Sequence, residues 1–215
     1  MTVTIIVACV LVFLWQFSLG PQGQQFVMLA LGFIPAVVIQ GQPLPPELPF
    51  QFVPPTATVV TSMFLHGGWM HLIGNMLYLW IFGNNVEDAM GHKRFVVFYL
   101  VCGIAAAMAQ ALPNPSSTIP MVGASGAISG VLGAYLLLHP RARVLVVIPL
   151  FFILWSTRLR AMYVLAFWFA VQIISSVLAA ATQGGGVAWG AHIGGFVAGV
   201  ALIPLFKYRK VRLFN

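Results

Sequence analysis

Residues 95–112 read FVVFYLVCGIAAAMAQAL, eighteen consecutive positions without a charged side chain. A helix of that length rises about 27 Å, close to the hydrocarbon thickness of a bilayer. Lys93 and Arg94 stand just before it. The stretch therefore predicts a membrane-spanning helix with a basic flank. Composition agrees: of 215 residues, 60% are hydrophobic and 6% are charged, where a soluble domain carries about 25% charged residues. So few charges cannot clothe a water-soluble globule, and a disordered chain would not be this apolar. The net charge of +7 does not point to nucleic acid, because the basic residues punctuate apolar blocks instead of lining a solvated face.

Further apolar blocks lie on either side, at 3–19, 70–86, 125–139, 161–181 and 189–206. Together they predict an all-α polytopic membrane protein with six spans, in a single domain covering 1–215. Block 3–19 has neither a basic lead-in nor a small-residue cleavage site, so it reads as a retained helix and not a signal peptide. Residues 144–155, interrupted by Pro149, are too few to span and predict an interfacial or re-entrant segment. Cys9 and Cys102 sit inside apolar runs and read as small buried hydrophobes.

The connections set the orientation. Lys93 and Arg94, then Arg141, Arg143, Arg158 and Arg160, then Lys207, Arg209, Lys210 and Arg212 account for all ten basic residues. Six spans place every one of them on the same side, and a seventh before Arg158 would break the pattern. The positive-inside rule then puts both termini, including the basic tail 207–215, in the cytoplasm. The outer connection of about 20–69 holds eight of the 14 prolines, between Pro21 and Pro55. It predicts short interfacial segments.

Polar groups inside a membrane are costly and therefore candidates for function. His71 and Asn75, four residues apart, share a helical face at the outer end of the second span. Ser125 opens the fourth span and His192 lies near the outer end of the sixth. Singly, a serine would bond its own backbone, and a histidine or asparagine a neighbouring helix; here four such groups fall at one depth. A serine hydroxyl needs a base to become a nucleophile, histidine serves near neutral pH, and an amide or imidazole N–H can stabilise an oxyanion. The acids are Glu47, Glu87 and Asp88. Glu87 and Asp88 fall a bilayer away from the others, and Glu47 lies in the outer connection with nothing to place it. The reading is a Ser125–His192 dyad without a third acidic member. Small-residue stripes, Gly126, Gly130 and Ala134 on one span and Ala191, Gly195 and Gly199 on another, would let these two helices approach closely.

At these residues the sequence resembles the rhomboid family of intramembrane serine proteases. Gly123-Ala124-Ser125-Gly126 is similar to the family's GxSG nucleophile motif, and Ala191-His192-Ile193-Gly194-Gly195 to its sixth-helix AH motif. Residues 64–76, FLHGGWMHLIGNM, resemble its HxxxN region with the preceding histidine, and residues 82–87, FGNNVE, the close of that helix. The resemblance implies a six-helix rhomboid-like bundle with a catalytic core of about 64–206. It implies cleavage of transmembrane protein substrates within or near the lipid bilayer, with Ser125 as nucleophile and His192 as general base. His71, Asn75 and the Ser125 N–H would stabilise the oxyanion, His66 would order the outer loop, and Glu87 would brace the cytoplasmic end of the second span. No metal or other cofactor is implied. The minimal six-span form points to a prokaryotic plasma membrane, with the site opening to the outer side.

The match departs in two places. Position 129, usually an aromatic that stacks on the histidine, is Ser129, which either loosens His192 or bonds it. The Trp-Arg pair often seen in the family's outer loop is not evident. Phe167, Trp168 and Phe169 of the fifth span stand where the family's substrate gate is placed, or are bilayer-facing bulk. Three other readings stay open: a catalytically silent membrane-protein binder, a small transporter or channel, and a metal site built from His66, His71 and His192.

Overall fold

The computed structural model describes all residues except 45–47, 49–51, 151–152, 183–186 and 215. Helices stand at each of the long apolar blocks: α1 (Thr2–Ser18), α5 (Trp69–Met90), α6 (His92–Ala111), α7 (Ser125–Leu138), α8 (Ala161–Thr182) and α9 (Trp189–Phe206). Three of them, α6, α8 over Ala161–Ala179, and α9, are long and apolar enough to cross a membrane. The outer connection carries α2 (Gly20–Leu31), α3 (Pro35–Gln40) and α4 (Thr58–Thr61). Prolines at the first turns of α2 and α3 fit there because those positions have no intrahelical acceptor to lose.

The helices are apolar on both faces. On α5, Leu72, Met76, Leu79, Phe82 and Val86 are buried, while Met70, Ile73, Leu77 and Trp80 are exposed. Exposed apolar surface of this extent is what a lipid-facing helix presents. Helix α7 is the opposite case, buried along nearly its whole length from Gly126 to Tyr135. It is the central post, flanked by α5, α6 and α9. Its seam with α9 is backbone on backbone: a Cβ at Gly195 would lie 2.1 Å from the Gly126 carbonyl oxygen. The two small-residue stripes thus face one another, as small residues do where membrane helices pack closely.

The fold is mostly helical but not wholly so, which corrects the all-α expectation. The stretch read as interfacial or re-entrant forms an antiparallel hairpin, β1 (Arg143–Leu150) and β2 (Ile153–Arg160). Its β-branched run, Val144, Val146, Val147 and Ile148, is too short for a span and suits a pleated ladder. In the register, Val144, Val146 and Ile148 oppose Leu159, Thr157 and Trp155, while Arg143 and Leu145 oppose Arg160 and Arg158. Arginines therefore gather at the base of one face.

All the basic segments meet at one end of the bundle. The Arg94 guanidinium donates to the Phe206 carbonyl (3.3 Å), and the Tyr208 N–H to the Ala89 carbonyl (2.9 Å). The Ala161 N–H donates to the Ala142 carbonyl (2.7 Å). Glu87 ties α1 to this end. It is buried and accepts from the Thr2 N–H and the Thr2 hydroxyl, each at 2.7 Å, with His92 also against it.

At the other end, the outer connection is tied down beside the N-terminus of α7. Phe33 and Met121 form a bridge, N–H to carbonyl in both directions (3.0 and 2.8 Å). The Thr61 hydroxyl donates to the Leu31 carbonyl (2.7 Å). The His66 N–H donates to Oε1 of Gln16, a buried carboxamide of α1 (3.2 Å).

Candidate active site

Ser125 is the first residue of α7, so its N–H has no acceptor within the helix and the positive end of the helix dipole lies there. The turn that delivers it contains Gly123 at φ +126°, a conformation that favours glycine. The Gly123 N–H is held by the Ser62 carbonyl (2.9 Å). Space demands glycine as well. A Cβ at 123 would lie 2.7 Å from His71 Nε2 and 3.7 Å from Ser125 Oγ.

That close fit places the imidazole of His71, from the first turn of α5, against the serine turn. Nδ1 of His71 accepts a long hydrogen bond from the Gly67 N–H (3.4 Å). In a neutral ring this leaves the proton on Nε2, the nitrogen that faces Gly123. One turn along α5, Asn75 is buried, and its amide nitrogen has no acceptor among the described residues. The neighbouring His66 packs edge-on to His71, ring centres 5.2 Å apart. Burial, and to a lesser degree His71, pushes the His66 pKa down to about 4.

His192 reaches the same point from the first turn of α9. Its Nε2 lies 2.9 Å from Ser125 Oγ. Both residues are only partly buried. The N-terminus of α9 is pinned to α6, where Gln110 Oε1 accepts from the Ala191 N–H (3.2 Å). The other imidazole nitrogen, Nδ1, lies 2.8 Å from Oε1 of Gln172 on α8.

Ser129 neither bonds nor stacks on His192. Its hydroxyl turns back to the Ser125 carbonyl (2.7 Å), the ordinary i−4 bond of a helical serine. The aromatic neighbours of the imidazole come from elsewhere: the rings of Trp168 and Trp189 each lie 6.0 Å from it, tilted and edge-on respectively. Trp168 thus touches the site, while Phe167 beside it is exposed.

The structure brings Ser125 and His192 into contact and sets His71 against the serine turn, with Asn75 one helical turn along. Glu87 and Asp88 sit at the opposite end of α5, and Glu47 lies outside the described residues. Gln172, Gln110 and Gln16 were not singled out from sequence. Each is a carboxamide in an apolar run, the same signal that marks Asn75. A hydroxyl, a neutral imidazole acceptor and several N–H donors at one point make an arrangement suited to acyl transfer.

The Rhomboid domain model matches residues 55–209. Rhomboid-like protease 5 of Toxoplasma gondii is 32% identical over 160 residues, covering 72% of this chain and 16% of that protein. Rhomboid protease GluP of Bacillus subtilis is 44% identical over 78 residues, covering 36% of this chain and 15% of that protein. Rhomboid protein 1, mitochondrial, of Saccharomyces cerevisiae is 29% identical over 154 residues, covering 69% and 41%. The chain thus spans between 15% and 41% of the length of these three relatives.

Proposed function

The chain belongs to the rhomboid family, and on that premise we propose that it is an intramembrane serine endopeptidase. Its substrates are membrane proteins, cut in or near their transmembrane segments. The observation that carries this reading is the 2.9 Å contact between Ser125 Oγ and His192 Nε2, two residues on different helices and 67 apart in sequence.

The chemistry follows from the atoms. As Ser125 Oγ attacks the scissile carbonyl carbon, its proton passes to His192 Nε2. The carbonyl oxygen becomes an oxyanion, stabilised by the Ser125 N–H, His71 Nε2–H and the Asn75 amide. The C–N bond then breaks, and the imidazolium returns its proton to the leaving amine. Water, deprotonated by the same nitrogen, attacks the acyl ester and releases Ser125. A cavity of about 40 Å³, lined by Met63, Gly103, Gly123 and Gly126, adjoins Ser125. It has room for a small side chain next to the cut.

In the membrane, α1, α5, α6, α7, α8 and α9 form six spans, with the basic end cytoplasmic. Helix α7 has 14 residues and so rises about 21 Å, less than the roughly 30 Å hydrocarbon core. With its C-terminus at the basic end, Ser125 falls short of the far surface, in a recess open to outer water.

The test is cleavage of a model single-pass substrate in liposomes by the wild type and by Ser125→Ala. The wild type cuts and the variant does not. Equal turnover by the variant removes the nucleophile assignment. No cleavage by a folded wild type favours a silent binder.

A further inference from the structure

Helix α8 is an apolar run, and a carboxamide within it must find partners because lipid offers none. Gln172 finds two. Its side chain is 5% exposed. Its Nε2 donates to the Trp168 carbonyl one turn earlier (3.2 Å), and its Oε1 faces His192 Nδ1 at 2.8 Å.

These two bonds constrain each other. A backbone carbonyl only accepts, so the amide nitrogen must point to Trp168 and the amide oxygen to His192. That oxygen also only accepts, so Nδ1 must carry the proton of the neutral ring. Nε2 is then left with its lone pair toward Ser125 Oγ, 2.9 Å away. The chain Trp168 carbonyl, Gln172, His192, Ser125 therefore specifies a single tautomer, the one that can take the serine proton.

We propose that Gln172 is the positioning residue for His192, a neutral third member in line with Ser125 and His192. The proposal rests on the Ser125–His192 reading above. Gln172 fixes the orientation of the imidazole and accepts a hydrogen bond that strengthens when the ring becomes imidazolium. A carboxamide does this without placing a charge in lipid, where an ionised carboxylate would be costly. It also accounts for a histidine held in place without an aromatic at position 129.

The experiment uses the full chain in detergent with a model transmembrane substrate. Gln172→Met keeps a similar volume and removes both hydrogen-bonding atoms. Its kcat should fall roughly 10–100-fold, by analogy with losing the partner that orients a functional imidazole, while KM changes little. The ¹⁵N resonances of His192 should change from a single Nδ1–H tautomer in the wild type to a mixture in the variant. Unchanged kcat, or an unchanged tautomer in the variant, overturns the proposal. If the variant does not fold, the wild-type spectrum decides: a neutral His192 protonated at Nε2 overturns it, and one protonated at Nδ1 upholds it. Ser125→Ala in parallel separates the two readings. Residual cleavage there removes the dyad itself, whereas an inactive Ser125→Ala beside a fully active Gln172→Met removes only the role of Gln172.

Discussion

Gly199 of α9 lies directly against Gly130 of α7: a Cβ at 199 would stand 1.9 Å from the Gly130 carbonyl oxygen. The neighbouring contact of Gly195 with Gly126 is of the same kind. Both contacts lie on the two helices that carry Ser125 and His192, and such close backbone approach is what small residues permit.

Gly199→Ala tests whether this seam sets the geometry of the site. In an isolated helix alanine would be favoured by about 1 kcal/mol. Here the added methyl meets backbone that cannot rotate away, and overpacking costs roughly 1–3 kcal/mol. The variant should melt lower in detergent and lose cleavage, with the sign opposite to helix propensity. Gly74→Ala, where a Cβ meets nothing within 4 Å, should not lower Tm. A Gly199→Ala as stable and active as the wild type would show that the seam does not set the geometry.

Asn75→Ala should keep the fold and lose kcat by about 10²–10³-fold, the usual cost of one oxyanion donor, with fluorophosphonate labelling of Ser125 slowed. Steady-state kinetics on a model substrate measure it. An unchanged kcat would remove Asn75 from the oxyanion site.

His66 makes stability depend on pH. Its pKa in the fold is about 4, against about 6.5 when unfolded. Between those values the unfolded chain binds more protons. The contribution is therefore complete above pH 6.5 and is lost as pH falls toward 4, about 3 kcal/mol across the interval. Melting temperature followed from pH 7 to 4 should fall for the wild type and fall less for His66→Phe. Identical slopes would contradict the burial of a neutral imidazole.

Glu87→Ala should separate bracing from chemistry. It strands the Thr2 N–H and hydroxyl, a loss of roughly 1–3 kcal/mol per buried donor, and it lies at the end of α5 remote from Ser125. Tm should drop while kcat per folded molecule is retained below the new Tm. A fall in kcat at unchanged Tm would place Glu87 in the reaction instead.

Much of this is legible in the sequence. The helices follow the apolar blocks because length and composition alone mark them. Ser125, His192, His71 and Asn75 stand out because polar groups in apolar runs are few. The hairpin was not readable: a short β-branched run has no periodicity that separates a strand from a buried or interfacial segment. Gln172 carries the same mark as Asn75, and Trp168 stands in the aromatic run of the fifth span; what the sequence does not show is their contact with His192. Their roles depend on which face of α8 turns to α9, a tertiary fact that local sequence pattern does not contain. The same holds for Ser129, whose bond to the Ser125 carbonyl was only one of the options open to a helical serine.

The most direct measurement is covalent labelling by a fluorophosphonate, with the modified residue located by mass spectrometry. The wild type should carry the phosphonate on Ser125. His192→Ala should label far more slowly, and Ser125→Ala not at all. Undiminished labelling of Ser125→Ala, or modification of any other serine in the wild type, would contradict the account at its centre.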